Sequence, residues 1–277
     1  LKTAIITFIG AGNMASSIIG GLLAGGHDAS CIRASDPARE NLERLRQLGD
    51  IKVYQDNAAA CAGADVVVMA VKPQIMATAL ASISAQVAAS GSLVISIAAG
   101  TTIATMQSLL DNRAPLVRCM PNTPSLVGAG ATALYASPEA GPQQRKLASA
   151  ILGAVGLIQW VPQESDLDAI TALSGSGPAY FFLFMEAMIE AACAMGLSRD
   201  CAVAMTRQTA FGAARMALES DVDLRELRRR VTSPGGTTER AVQCFEHEGL
   251  RDLVAHAMAA ARERAEEMGA PQETPDA

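Results

Sequence analysis

A glycine turn near the start of the chain constrains its fold more than any other feature. Gly10-Ala11-Gly12-Asn13-Met14-Ala15 follows an apolar β-branched run and opens a helical stretch. In a G-x-G-x-x-A turn of this kind the first glycine permits the tight bend and the second lets the backbone approach a pyrophosphate. The small third residue lets helix and strand pack closely. The helix start then presents free N–H groups to an anion. A second β-branched run ends at Ser35, roughly 20 residues on, which is the spacing of a dinucleotide-binding βαβ unit.

The text around this turn supports the same architecture. Ala4–Ile9, Cys31–Ser35, Asp65–Val71, Leu93–Ile97 and Leu116–Met120 read as strands, and Ala129–Tyr135 and Leu157–Val161 as two more that finish a sheet. Runs apolar on both faces belong to a parallel sheet covered by helices on either side, and Met14–Ala24 and Ala38–Leu48 have helical spacing. After Val161 the strand signal ends. Ala179–Met195, Arg199–Leu218, Leu224–Val231, Thr237–Glu246 and Leu250–Met268 read as helices, broken at Gly196, Asp221, Pro234 and Gly249. The expected fold is therefore an α/β Rossmann domain with a mostly parallel, doubly wound sheet over residues 1–162. An all-α domain follows over 163–268, and residues 269–277 form a flexible tail.

Composition narrows the function. A formal charge of -6 disfavours general attraction to nucleic acid or to an anionic membrane, so an anionic ligand must be caught locally. Charged residues are 18% of the chain, below the average of about 25%, which points to surface hidden in an oligomer. Cys31, Cys61, Cys119, Cys193, Cys201 and Cys244 are scattered without a C-x-x-C pair or a histidine at ligand spacing. They read as reduced core thiols of a cytoplasmic protein with no metal site. The chain opens into a strand without a charged and then apolar leader pattern. Its most apolar stretch, Ala179–Met195, carries Glu186 and Glu190 one turn apart and reads as a buried helix, not a membrane span.

Ligands of open parallel sheets bind beyond the carboxyl ends of the strands. Besides the glycine turn, that edge carries Arg33-Ala34-Ser35-Asp36-Pro37, Ala70-Val71-Lys72-Pro73, Ala98-Ala99-Gly100-Thr101 and Met120-Pro121-Asn122-Thr123-Pro124. An acid on the ribose favours NAD, whereas Ser35 with Arg33 or Arg39 favours a 2′-phosphate, and the residues leave both open. Asp36 has a second reading as the residue that starts the turn at Pro37. Lys72 is one of four lysines, which gives it weight as a ligand contact over a solvated charge. Asn122, between two prolines, suits function and turn-making equally.

The helical half holds two helix starts built to receive a carboxylate. Leu173-Ser174-Gly175-Ser176-Gly177-Pro178 places hydroxyls and accessible amides before a proline suited to a first helical turn. Ser233-Pro234-Gly235-Gly236-Thr237-Thr238-Glu239 repeats the arrangement, with Glu239 placed as an N-terminal cap. An ordinary capped helix is the plain alternative for each.

The missing base narrows the chemistry. Oxidation of a hydroxyl needs a residue that takes its proton, commonly His or Lys. No lysine follows Lys146, and His27, His247 and His256 read as surface groups. Reduction of a protonated C=N bond demands less: a hydrogen-bond partner for nitrogen, orientation, and exclusion of water. A β-hydroxyacid or prephenate-type dehydrogenase and a nicotinamide-sensing binding protein remain as alternatives.

The ordered motifs F-I-G-A-G-N-M-A at Phe8, A-V-K-P at Ala70, M-P-N-T-P at Met120, L-S-G-S-G-P-A-Y at Leu173 and S-P-G-G-T-T at Ser233 resemble the pyrroline-5-carboxylate reductases from residue 4 to about 267. The resemblance implies NADPH, or NADH, reducing 1-pyrroline-5-carboxylate to L-proline in the final step of proline synthesis. It assigns Gly10, Ala11, Gly12, Asn13, Met14, Ser35, Asn57, Ala70, Val71, Lys72 and Pro73 to the cofactor, to which the sheet-edge argument adds Ala98, Ala99 and Gly100. It assigns Val231, Ser233, Gly235, Gly236 and Thr238 to the substrate, with Thr238 on the ring nitrogen, and the first helix start adds Ser174 and Ser176. It also implies a homodimer with interlocked helical domains, assembled in some members into rings.

Overall fold

The computed structural model describes residues 3–110 and 114–269. Of the expected tail, 269–277, Gly269 ends the last helix and the remainder lies outside the described residues. Strands and helices alternate first: β1 (Ile6–Ile9), α1 (Asn13–Ala24), β2 (Ile32–Ser35), α2 (Arg39–Arg46), β3 (Lys52–Tyr54), α3 (Asn57–Cys61), β4 (Val66–Met69), α4 (Met76–Ala81), α5 (Ser84–Ser90), β5 (Leu93–Ser96), α6 (Ile103–Leu110) and β6 (Leu116–Met120). Then come β7 (Gly130–Ala136), α7 (Pro142–Leu152), β8 (Gly156–Trp160) and α8 (Asp166–Ile170). Five helices close the chain: α9 (Gly177–Ala194), α10 (Arg199–Glu219), α11 (Leu224–Arg230), α12 (Thr237–His247) and α13 (Leu250–Gly269).

The eight strands form one sheet in the order β3-β2-β1-β4-β5-β6-β7-β8. The six strands from β3 to β6 run parallel, β7 pairs antiparallel with β6, and β8 is parallel to β7. All seven strands expected from sequence form, as the fold class requires. The eighth, β3, has three residues at the sheet edge, none of them buried, so it lacks the apolar run that marks its neighbours.

Every residue of β1, β4 and β5 is buried, because helices cover both faces of the sheet. On one face Ile18, Ile19 and Leu22 of α1 pack with Leu42 and Leu45 of α2 and Ile151 and Leu152 of α7. On the other, Met76 and Leu80 of α4, Val87 of α5 and Met106 of α6 form a second core. Each such fully buried aliphatic side chain contributes about 1.5–3 kcal/mol relative to solvent exposure. The carboxyl edge of the sheet thus stands on deeply buried strands.

The described residues fall into two compact units. Among the described residues, those up to Ser176 together with Ala261–Gly269 make one compact unit, and Gly177–Ala260 the other. An ion cluster contributes to the first unit. Arg118, in the middle of β6, is buried and needs counter-charges, which Glu164 supplies at 3.0 Å and Asp168 of α8 at 3.7 Å. Those contacts hold the segment after the last strand against the sheet.

The second unit also corrects the expectation that Ala179–Met195 is buried. In α9, Phe181 is 72% and Leu183 67% exposed, and Met205 and Phe211 of α10 are exposed as well. Apolar faces of this extent have no cover within one chain, which is the signature of a surface that packs on another. The continuous helical stretch Asp166–Ala194 is long and apolar enough to cross a membrane by length and composition. Glu186 and Glu190 argue against that, since a charge at the centre of a bilayer costs roughly 3 kcal/mol even on the lowest scales.

Candidate functional site

The carboxyl edge of the parallel strands gathers nearly all the residues assigned to a cofactor. The strand order changes direction at β1, with β2 on one side and β4 on the other, so the glycine turn lies at the switch point where open sheets bind nucleotides. Gly10 adopts φ +98°, and a Cβ there would stand 2.5 Å from the Ala70 carbonyl oxygen. Only glycine fits between the loops after β1 and β4. Around Gly12, by contrast, the space a Cβ would occupy is open. Gly12 caps α1 without a side-chain hydrogen bond, and the Asn13 and Met14 amides of its first turn face no capping group. These residues fit a dinucleotide: the turn is shaped, open on one side and rich in undirected N–H donors.

Neighbouring loops complete that edge. Ser35 ends β2, and its hydroxyl donates to the Asn57 side-chain oxygen at 2.8 Å, while the Asn57 amide donates to Ser82 at 3.0 Å. Two residues 22 positions apart in sequence are thus one polar pair. Arg33 does not join them, because its guanidinium turns back onto the carbonyls of Ala60 and Ala62. Arg39 stays exposed beside Gln55. Ala70, Val71, Lys72 and Pro73 follow β4, with Lys72 exposed at the start of a short 3-10 turn. Ala98, Ala99 and Gly100 follow β5; Gly100 has φ +75°, and a Cβ there would meet the Met268 carbonyl. That glycine is required by packing.

The structure separates the two helix starts of the helical half. At Leu173–Tyr180 there is no free start. The chain runs from α8 through a π-helical turn, Thr171–Gly175, straight into α9, and the Ser176 amide donates to the Thr171 carbonyl. Ser174 Oγ donates to Ile170 O, and the Ser174 carbonyl accepts from Asn122 Nδ2. This stretch thus lies within a continuous helical run and not at the helix start that its sequence suggests. A π turn closes hydrogen bonds five residues back and so can absorb the glycines that looked like a break. Asn122 is structural too, since its side-chain oxygen also takes the Ala131 amide.

At Ser233–Glu239 the helix start is real. Val231 ends α11, Gly235 turns with φ +72°, Gly236 caps α12, and Ser233, Gly235 and Thr238 are exposed. Glu239 accepts from the Gly235 amide at 2.8 Å, as the cap reading requires. Gly236 donates to Ser233 O. The Thr237 and Thr238 amides of the first turn keep no acceptor among the described residues.

Three features of sequence meaning change. His27 is buried and not a surface group, and its burial lowers its pKa. Of the six thiols only Cys61 and Cys119 are core groups: burial pushes Cys61 up to about 12 and Cys119 well above the ordinary thiol value. Cys201 and Cys244 are exposed on the uncovered helices. The ion cluster at Arg118 was missed altogether, although an arginine inside the apolar run Leu116–Met120 is a legible sign of a buried counter-charge. Burial holds the Asp168 carboxyl above its usual range, against the opposing pull of Arg118.

Comparison with known proteins decides the family. Residues 164–268 match the model for pyrroline-5-carboxylate reductase dimerisation, and residues 5–100 match the model for NADP oxidoreductase coenzyme F420-dependent proteins. The pyrroline-5-carboxylate reductase of Pseudomonas aeruginosa is 49% identical over 268 residues, which cover 97% of this chain and 98% of that one. This chain belongs to the pyrroline-5-carboxylate reductase family. The solved structure of the Coxiella burnetii pyrroline-5-carboxylate reductase superposes with a TM-score of 0.94 at 44% identity, covering 97% of this chain and 100% of that one. That of the Plasmodium falciparum enzyme with NADP bound superposes with a TM-score of 0.85 at 29% identity, covering 98% and 100%. As a member of the family the chain is an NAD(P)-dependent oxidoreductase acting on a C=N bond, and it catalyses the last step of proline synthesis. The dehydrogenase and sensor alternatives fall away.

Proposed function

We propose that the reaction is divided between the sheet-edge loops, which hold NADPH, and the Ser233–Thr238 loop, which holds 1-pyrroline-5-carboxylate. The observation that carries this reading is the survival of one open helix start at Thr237 and Thr238 in an acidic chain, beside the closed one at Ser174–Ser176. Backbone N–H groups at a helix N-terminus bind a carboxylate without an arginine clamp. Val231, Ser233, Gly235 and Gly236 shape that loop, and the Thr238 hydroxyl serves as the hydrogen-bond partner of the ring nitrogen. Glu239 already takes the Gly235 amide, so the carboxylate goes to the Thr237 and Thr238 amides.

Bound nicotinamide supplies the hydride. The protein supplies orientation: the amides fix the acid group, Thr238 fixes the nitrogen, and the imine carbon is thereby aimed, which is the kind of positioning that contributes several kcal/mol to a barrier. Ser35, Asn57 and Arg39 are the groups suited to a 2′-phosphate, since Arg33 is spent on Ala60 and Ala62. That favours NADPH over NADH.

The uncovered apolar faces of α9 and α10, within the matched dimerisation segment, pack against a second copy in a homodimer, and rings of dimers extend it. The chain works in the cytoplasm, where its six free thiols stay reduced. Steady-state kinetics with saturating pyrroline-5-carboxylate test the reading: NADPH is oxidised with a higher kcat/KM than NADH. A clear preference for NADH would reject the assignment of the 2′-phosphate groups.

A further inference from the structure

We propose that Asp36, with Asn41 and Arg44, is a clamp that sets the glycine turn for phosphate binding, and that Asp36 does not read the ribose. The proposal rests on the dinucleotide-binding reading of the turn given above.

The geometry is specific to the peptides flanking Ala11, a residue with no exposed surface. The Ala11 N–H donates to Asp36 Oδ2 at 2.8 Å. The Ala11 carbonyl accepts from Arg44 Nη2 at 3.2 Å. Asn41 ties the two together, donating from Nδ2 to Asp36 Oδ1 at 3.2 Å and accepting from Arg44 at 3.0 Å. A trans peptide holds its C=O and the following N–H in opposite directions. Fixing the Ala11 carbonyl toward Arg44 therefore turns the Gly12 N–H away from α2. That is the amide of the residue whose Cβ space is open, where a phosphate would approach.

The same contacts take Asp36 out of ribose recognition. Its carboxylate is buried and already receives three donors of this chain, from Ala11, Asn41 and, at 2.9 Å, the Ala38 amide. To accept a ribose diol it would have to release one of them, and a buried amide left unpaired is unfavourable. An acid just past β2 thus looks like a mark of NAD preference but acts on the turn. Discrimination falls to other groups. In this role Asp36 and Arg44 are positioning residues.

The test is the dissociation constant of NADPH and of NADH, measured by fluorescence titration for the wild-type chain, Asp36→Ala and Arg44→Met. Both variants are expected to weaken both cofactors by the same factor, about tenfold for the first, where a buried amide loses its acceptor, and about threefold for the second. The ratio of the two constants stays as in the wild type, and KM for pyrroline-5-carboxylate stays within about twofold. A ribose contact would give the opposite pattern, with Asp36→Ala losing NADH and gaining NADPH, and that result overturns the proposal. Unchanged constants for both cofactors overturn it too. Arg44 is exposed on α2, so Arg44→Met keeps the test decisive if Asp36→Ala fails to fold. The titration needs no turnover: a wild-type chain that binds dinucleotide but does not reduce pyrroline-5-carboxylate would refute the catalytic reading and leave the clamp standing.

Discussion

Replacing Arg118 with Met should damage the protein in a pH-dependent way that the ion cluster specifies in advance. The methionine fills much of the arginine volume, so the loss is chiefly one of charge. Glu164 and Asp168 keep side-chain exposures of 25% and 17%, and Glu266 adds a third negative field at Asp168. Removing one partner of a fully buried pair costs about 3–5 kcal/mol. Because both carboxylates reach some water, the loss here falls below that range, at about 2–3 kcal/mol at pH 8. The Asp168 carboxyl is already raised in the folded chain by burial, and loss of Arg118 raises it further. A group whose folded pKa exceeds its unfolded value lets the folded state bind the extra proton, so its unfavourable contribution is relieved as pH falls through the folded pKa. Urea unfolding of wild type and variant at pH 8 and pH 5 should give a larger difference at pH 8. An equal difference at the two values, or one below about 0.5 kcal/mol at pH 8, would refute the view that unpaired carboxylates cause the loss. The cluster also reaches the proposed site: Glu164 accepts the Ile103 amide at 2.8 Å, just beyond the Ala98–Gly100 loop, so the variant should bind NADPH more weakly as well.

Other outcomes follow from single contacts. Gly10→Ala sets a methyl 2.5 Å from a backbone oxygen at a positive φ, so calorimetry should show a stability loss of roughly 2–5 kcal/mol together with weaker NADPH binding. Thr238→Ala should slow turnover by about 10- to 100-fold, the range for a hydrogen bond to a charged partner, while the Kd of NADPH stays nearly constant. Glu226, beside Arg229 and Arg230, and Glu246, beside Arg251 and Arg228, are each held down to about 2. A depressed carboxyl stabilises the fold above its unfolded pKa and ceases to do so as pH falls through the folded one. Circular dichroism should therefore show the wild type losing helix stability between about pH 4.5 and about 2 more steeply than Glu246→Gln.

Much of this molecule is legible in its residues because the signals are local. The apolar runs of β1, β4 and β5 announce strands covered on both faces, and the Gly10–Ala15 turn announces its own ligand. Residues that act through distant partners are not legible. Ser35 and Asn57 meet only because β2 and β3 are neighbours, and two of the three donors on Asp36, the Ala11 amide and Asn41, come from outside its own turn. The Ser174–Ser176 stretch misleads because serine, glycine and proline mark both helix starts and the irregular turns that a continuous helix absorbs. The apolar text of α9 reads as core because sequence cannot say which chain covers it.

The central claim is that amides opening α12 hold the acid group of the substrate. A crystal structure of the chain with NADP and L-proline tests it most directly. The proline carboxylate should lie on the Thr237 and Thr238 amides, with the ring nitrogen at the Thr238 hydroxyl. Proline held anywhere else, with those amides facing solvent, would contradict it.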